Sequence, residues 1–345
     1  MSLLIRLDEY VGGAAAAAMK SVRRFIGGDA PIDRPLAIRP GGLGDLVLAT
    51  AALEELGVSP KSFDWLIELR SAPWARELSL SYACYDKLDN RLLRLLNRRR
   101  RLVINLEQLY GLSTAVASAL VPRTGTLVGF NSNKGSSAFD MQVPYSEDEH
   151  ELLAFQRLFG AALNVMGPSV RPRAREPHHS TNGQVLAIGG TAHPSRRIED
   201  DDWLFLAALN PGLPVTIACG PSDETLAGRL AIRLPKCLGV AVGFDAVIQA
   251  MRNTKRVVTV DGGLMHVASY FGVPTDAVFT SSNAEKWGPW SAGSRILKRD
   301  GLPCQPCARF GRIPPCTNGY ECLSRNAWNL FPSAELTGFV RKHRV

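Results

Sequence analysis

The chain has 345 residues, 46% apolar content and a formal net charge of +8, which favours two well-packed soluble domains over one. No window holds the ~18 uninterrupted apolar residues that a membrane-spanning helix requires. Arg6, Asp8 and Glu9 break the apolar start of a signal peptide, so the expected compartment is the cytoplasm, with thiols reduced unless they bind metal.

Residues 1–33 read as a separate amphipathic segment of one or two helices, interrupted at Gly12-Gly13. Leu3, Leu4, Leu7, Val11, Val22, Phe25 and Ile26 can form an apolar stripe bordered by Arg6, Lys20, Arg23 and Arg24. That stripe either rests on a membrane surface, the preferred reading, or docks on the domain that follows. From Leu36 strand-like and helix-like segments alternate, as parallel α/β layers require. "LAIR", "FDWLIEL", "RLVINL" and "GTLVGF" read as strands, and Leu46–Leu56 and Glu149–Leu163 as helices. Between them "DNRLLRLLNRRRR" sets Arg91, Arg94 and Arg98–Arg101 beside Leu92, Leu93, Leu95 and Leu96. This composition suits an anionic membrane or an anionic substrate, or is a solvated helix flank. Nucleic acid is not expected as a partner, because no aromatic residues are interleaved with the arginines.

The stretch "GPSVRPRAREPHHSTNG" has no apolar period and marks residues 167–184 as a linker. The alternation then restarts. "QVLAIGG", "PVTIACG", "RVVTV" and "TDAVFT" read as strands, with helices over Asp202–Leu209, Phe244–Arg252 and Leu264–Phe271. The domains are thus 34–166 and 185–332, followed by a C-terminal helix at 333–345, and a ligand-binding cleft is expected between the two α/β halves.

Four strand-to-helix loops can carry chemistry. In "RPGGLGD", Gly41, Gly42 and Gly44 allow close backbone approach, and Asp45 is either a carboxylate presented to a ligand or a helix N-cap. The third glycine of a dinucleotide fingerprint is missing, which disfavours a nucleotide-linked oxidoreductase. In "VDGGLMH", Asp261, Gly262, Gly263, Leu264, Met265 and His266 open a helix whose free amides attract anions, although a lone histidine there is commonly just packed. "GGTAHPSRRIEDDDW" offers Thr191, His193, Arg196 and Arg197 to phosphate oxygens. "SSNAEKWGPWS" is an aromatic loop of the same kind.

Taken together, these loops resemble glycosyltransferase family 9, the bacterial heptosyltransferases. The resemblance rests on Gly44, Asp45 and "LVLATAAL"; on Asp261, Gly263, His266, Ala268, Gly272 and Pro274; on "WGP" at 287–289; and on "CxPC" at Cys304, Pro306 and Cys307. It implies a GT-B fold of two Rossmann-like, doubly wound domains facing each other across a cleft, with acceptor mainly on the first and nucleotide-sugar on the second. It further implies an inverting, metal-independent transfer of a heptose or related sugar from an ADP-sugar to an amphiphilic glycan or glycolipid, in lipopolysaccharide core or a similar surface glycan. Asp45 is then the general base. Thr191, Arg196, Asp261 and the amides of residues 262–266 would hold the donor diphosphate, and the glycines of 41–44 would form the acceptor loop. Family members place Lys where Arg196 stands, seven residues before Trp203, and Thr or Ser where Gly262 stands. Other nucleotide-sugars, a protein acceptor, or a non-catalytic glycan-assembly protein remain as alternatives. An amphiphilic acceptor also fits peripheral contact with the anionic inner face of the cell membrane.

Cys304, Cys307, Cys316 and Cys322 follow a C-x₂-C-x₈-C-x₅-C spacing that can hold Zn or Fe tetrahedrally in a structural role. No cofactor is expected for catalysis. Cys84, Cys219 and Cys237 read as small apolar residues.

Overall fold

The computed structural model describes residues 3–23, 32–165, 183–189, 193–310 and 312–332, in two units, Met1–Arg171 and Pro172–Val345. Thr191, Arg24, Phe25, Ile26, most of the expected linker and the expected helix at 333–345 lie outside the described residues, as do the side chains of Leu3, Leu4, Arg6 and Leu7.

The first unit runs α1 (Leu3–Arg23), β1 (Leu36–Arg39), α2 (Leu43–Glu55), β2 (Asp64–Ile67), α3 (Ala72–Glu77), β3 (Ser81–Cys84), α4 (Asn90–Leu96), β4 (Leu102–Asn105), α5 (Leu112–Ala119), β5 (Thr126–Phe130), β6 (Met141–Val143) and α6 (Glu151–Leu163). Its six strands are all parallel in the order β3-β2-β1-β4-β5-β6. The central strand β1 is buried along its whole length, as a short apolar run between two parallel neighbours must be. Leu36 stands opposite Asp64 on one side and Val103 on the other. Residues Leu46–Leu53 of α2 are all buried, which explains why that helix is apolar around its whole circumference. Phe63, Trp65 and Phe159 close the core with ring centroids 5.9–6.4 Å apart.

Helix α1 differs from expectation in two ways. It runs unbroken through Gly12-Gly13, and among its described side chains and glycines the buried positions are Asp8, Gly12, Ala16 and Arg23, while Val11 and Val22 face solvent. The two glycines permit contact instead of ending the helix. A Cβ on Gly111, at the start of α5, would lie 2.5 Å from the carbonyl carbon of Gly12. Asp8 caps α5 by accepting the Gly111 and Leu112 amides at 2.7 and 3.1 Å, and Arg23 binds Asp140 at 2.8 Å. Among the described residues, this helix therefore docks on the first unit through small and polar positions.

The second unit runs β7 (Gln184–Ile188), α7 (Asp200–Ala208), β8 (Val215–Cys219), α8 (Glu224–Arg233), β9 (Cys237–Val242), α9 (Phe244–Arg252), β10 (Arg256–Val260), α10 (Gly263–Tyr270), β11 (Thr275–Val278), α11 (Ala284–Trp287), β12 (Arg295–Arg299) and β13 (Trp328–Pro332). Its sheet order is β13-β12-β11-β10-β7-β8-β9, with only β13 antiparallel. Read from the β9 edge, the six parallel strands repeat the order of the first unit. Both are doubly wound sheets with their switch point at the first strand and its neighbour, and loops at the carboxyl ends of those strands are where ligands bind in such folds.

Candidate active site

In the first unit the site is built at the carboxyl end of β1. The strand delivers Arg39, Pro40-Gly41-Gly42 turn the chain, and α2 starts at Leu43, so Asp45 lies at the third helical position and not at the N-cap. Its Oδ2 accepts the Gly42 amide at 2.8 Å, which ties the carboxylate to the helix start. Its Oδ1 accepts from Arg39 Nη2 at 2.5 Å. A Cβ on Gly41 would lie 2.8 Å from Asp45 Oδ2, so only glycine leaves the carboxylate its place. The side chain of Asp45 remains 21% exposed, so its unused lone pairs are open to a ligand.

Behind Asp45 stands a buried polar network that the sequence reading missed. Arg39 is 5% exposed and donates to the Leu106 carbonyl at 3.0 Å and to Gln108 Oε1 at 2.9 Å, with Glu107 3.6 Å away and the ring of Phe155 beneath its guanidinium. Gln108 donates to Glu151, which also accepts from Tyr145 Oη at 2.9 Å. Burial alone would push the Arg39 guanidinium down, but Asp45, Glu107 and Glu151 together carry it above its ordinary value and keep it charged. Burial pushes the Glu107 carboxyl up, against the pull of Arg39 and the Leu109 and Tyr110 amides. The available signal was an arginine ending an otherwise apolar, fully buried strand.

In the second unit, Asp261 follows β10 and Gly262 precedes α10. The structure brings two of the predicted residues together: Arg196 Nη2 lies 2.9 Å from Asp261 Oδ2 and donates to Ser282 Oγ at 2.8 Å. The Arg196 side chain is 25% exposed and that of Asp261 only 7%. Gly262, Gly263 and Leu264 are half-buried at the start of α10, whereas Met265 and His266 point inward. His266 stacks on Trp290 with ring centroids 5.8 Å apart and meets Trp287 edge-on at 6.3 Å, so its side chain packs under the loop. Ser282, Ser281 and Thr280, which brace Arg196 and its neighbour Ser195, were not foreseen as site residues.

Cys304, Cys307, Cys316 and Cys322 line one cavity of about 30 Å³ together with Ser195 and Ser281. Asn318 Nδ2 and the Tyr320 amide donate to the sulfurs of Cys304 and Cys316 at 3.3 and 3.2 Å. Burial and the neighbouring thiols push the Cys322 thiol up to about 11. Among the described residues no three His, Cys, Asp or Glu side chains form a group able to hold a metal ion. The cysteine-rich loop is tied to the turn that braces Arg196, since the Cys307 and Ala308 amides both donate to the Ser281 carbonyl, at 3.0 and 2.8 Å.

Residues 98–316 match the family described as Glycosyltransferase family 9 (heptosyltransferase). No curated protein matches the chain. Among solved structures it is similar to a family 9 glycosyltransferase from Veillonella parvula, at 16% identity and TM-score 0.64, covering 90% of this chain and 97% of that one. It is also similar to E. coli heptosyltransferase WaaC with ADP, at 18% identity and TM-score 0.61, covering 76% and 92%. A third is E. coli ADP-heptose lps heptosyltransferase II, at 17% identity and TM-score 0.59, covering 77% and 90%. At these identities the structures establish the fold, and the family match, which spans more than half the chain, establishes membership. The chain belongs to glycosyltransferase family 9 (heptosyltransferase) and is a glycosyltransferase of the GT-B fold.

Proposed function

We propose that this family member is an inverting glycosyltransferase that moves a heptose or related sugar from an ADP-sugar to a hydroxyl of lipopolysaccharide core or a similar amphiphilic surface glycan. The observation that carries the reading is the Asp45 carboxylate, held by Arg39 and the Gly42 amide beside glycines and still open to solvent. In the proposed step the acceptor oxygen attacks the anomeric carbon and gives its proton to Asp45, the bond from that carbon to the diphosphate oxygen breaks, and ADP leaves with the electron pair. Arg196 and the amides opening α10 take up the negative charge of the departing diphosphate. Asp45 lies ahead of the matched residues 98–316, so its role rests on the geometry of its loop, whereas Arg196 and Asp261 fall within the match. Support for an ADP-sugar donor comes from the structural relatives, one of which holds ADP and another ADP-2-deoxy-2-fluoro heptose. The protein works in the cytoplasm, at the inner face of the cell membrane.

Binding measured by thermal shift across a panel of nucleotide-sugars tests the donor. ADP-sugars are expected to raise Tm, and Arg196→Ala is expected to weaken ADP binding by about 10- to 100-fold through loss of a charged phosphate contact. A panel in which only uridine or guanosine sugars stabilise the protein overturns the ADP assignment.

A structural metal at the four cysteines is supported by their common cavity and by the two N–H···S contacts of the kind that surround ligating thiolates. Against it stands the lack of ligand geometry among the described residues. Elemental analysis of protein purified without added metal decides the matter, with one Zn or Fe per chain expected and a substoichiometric content ending the proposal.

A further inference from the structure

Helix α4 presents a surface that the transfer chemistry does not use. Asp89 caps it through the Arg91 and Leu92 amides at 2.9 and 3.1 Å, and Leu92 and Leu95 turn into the core. The remaining leucines face outward: Leu93 is 54% exposed, Leu96 43% and Leu88, just before the cap, 83%. Leu93 and Leu96 are one turn apart and form a ridge, Arg91 and Arg94 form a second ridge on the helix, and the exposed Arg98 follows the C-cap Asn97.

The charge of this region is one-sided. Residues 85–101 hold Lys87, Arg91, Arg94 and Arg98–Arg101 against only Asp86 and Asp89. Both acids are engaged locally, Asp86 by the Leu69 amide at 2.8 Å and Asp89 by the cap and by Lys87 at 3.8 Å. Arg100 is buried on Asp64, Arg101 pairs with Asp33, and Arg91 lies over the ring of Tyr82. Arg94 and Arg98 are exposed and have no ion pair among the described residues. Exposed leucines interleaved with unpaired guanidinium groups match a bilayer interface, where apolar side chains enter the acyl boundary and cations meet lipid phosphates. A nucleic acid would engage the arginines but leave the leucines in water, and neither Tyr82 nor Tyr85 is exposed to stack on a base. Helix α1, the other amphipathic candidate, spends its inward face on α5.

We propose that the outer face of α4, with Leu93, Leu96 and Arg94, and its flanking residues Leu88 and Arg98 dock on an anionic phospholipid bilayer. The proposal rests on the reading that the acceptor is amphiphilic, but its test needs no acceptor. The full chain is sedimented with vesicles of phosphatidylcholine alone and with vesicles that also contain phosphatidylglycerol. Partition onto the anionic vesicles only is expected, weakened about 30-fold by Arg94→Glu with Arg98→Glu. Leu93→Ser with Leu96→Ser, which leaves the charge unchanged, is expected to weaken it by about 10-fold. Melting curves of both double variants confirm that they are folded. Absence of wild-type binding, variants that sediment like wild type, or retention on an anionic oligonucleotide without vesicle binding each overturn the proposal. ADP binding is measured on the same preparations: vesicle binding without ADP binding defeats the ADP-sugar reading alone, and ADP binding without vesicle binding defeats this one alone.

Discussion

Arg39 and Asp45 form the pair on which the residue-level account turns. Arg39 is enclosed by three carboxylates and a glutamine, and one of those carboxylates is the proposed base. A buried cation in this position does two things. It neutralises Glu107 and the region around Glu151, and it aims one oxygen of Asp45 while the Gly42 amide holds the other. Arg39→Met should therefore destabilise the fold by about 3–5 kcal/mol, since it strands buried charge, and Tm should drop by roughly 10 °C. Arg39→Lys keeps the charge but loses the fork that reaches both Gln108 and Asp45. That variant should recover most of the stability while its kcat stays low and its ADP affinity is unchanged, as seen by comparing melts, turnover and ADP titrations. Wild-type kcat in Arg39→Lys would remove Arg39 from the positioning of Asp45. The sequence pointed to Asp45 because an acid next to glycines at a helix start is a local pattern. Arg39, Glu107, Gln108, Glu151 and Tyr145 are spread over more than 100 positions, and nothing in a linear pattern says that the fold gathers them.

At the scale of elements, α1 shows how small residues can be misread. Two adjacent glycines normally mark a helix break, yet here they are the floor on which α5 packs. Gly111→Ala adds a methyl that meets the Gly12 backbone, and an overpacked crossing of this kind should cost about 1–3 kcal/mol. A lowered Tm together with faster proteolysis of α1 is the expected outcome, and an unchanged melt would mean that the helix is not held there. The strands β1, β2, β4, β5, β7, β8, β10 and β11 were legible because each is a buried, β-branched or aliphatic run. β3, β6, β9, β12 and β13 were not foreseen. β3, β9 and β13 are partly exposed and lie at or near sheet edges, and β13 follows the cysteine-rich loop, so burial leaves little pattern in their sequences. The start of α2 was placed three residues late, at Leu46 instead of Leu43, which changes Asp45 from a cap to a side chain of the first turn.

For the whole molecule, the main regularity is that both units repeat one strand order, with a single antiparallel strand added to the second. Each unit places its candidate site residues at the carboxyl end of its first strand or its immediate neighbour: Asp45 after β1, and Asp261 after β10 with Arg196 in the segment after β7. The proposed transfer uses this division, with Asp45 as the carboxylate for the acceptor and the cationic, amide-rich corner of the second unit for the diphosphate. The cysteine-rich loop belongs to the second half of that plan, because it hydrogen-bonds to Ser281, next to the serine that holds Arg196. The alternation of strands and helices made the two-unit architecture readable in advance, whereas the bracing of Arg196 by Ser282, 86 positions away, was not. If Asp45 takes the acceptor proton, Asp45→Asn loses ~10²–10⁴-fold in kcat in steady-state transfer from an ADP-sugar while its ADP affinity is preserved. Turnover of that variant at the wild-type rate would mean that another group accepts the proton.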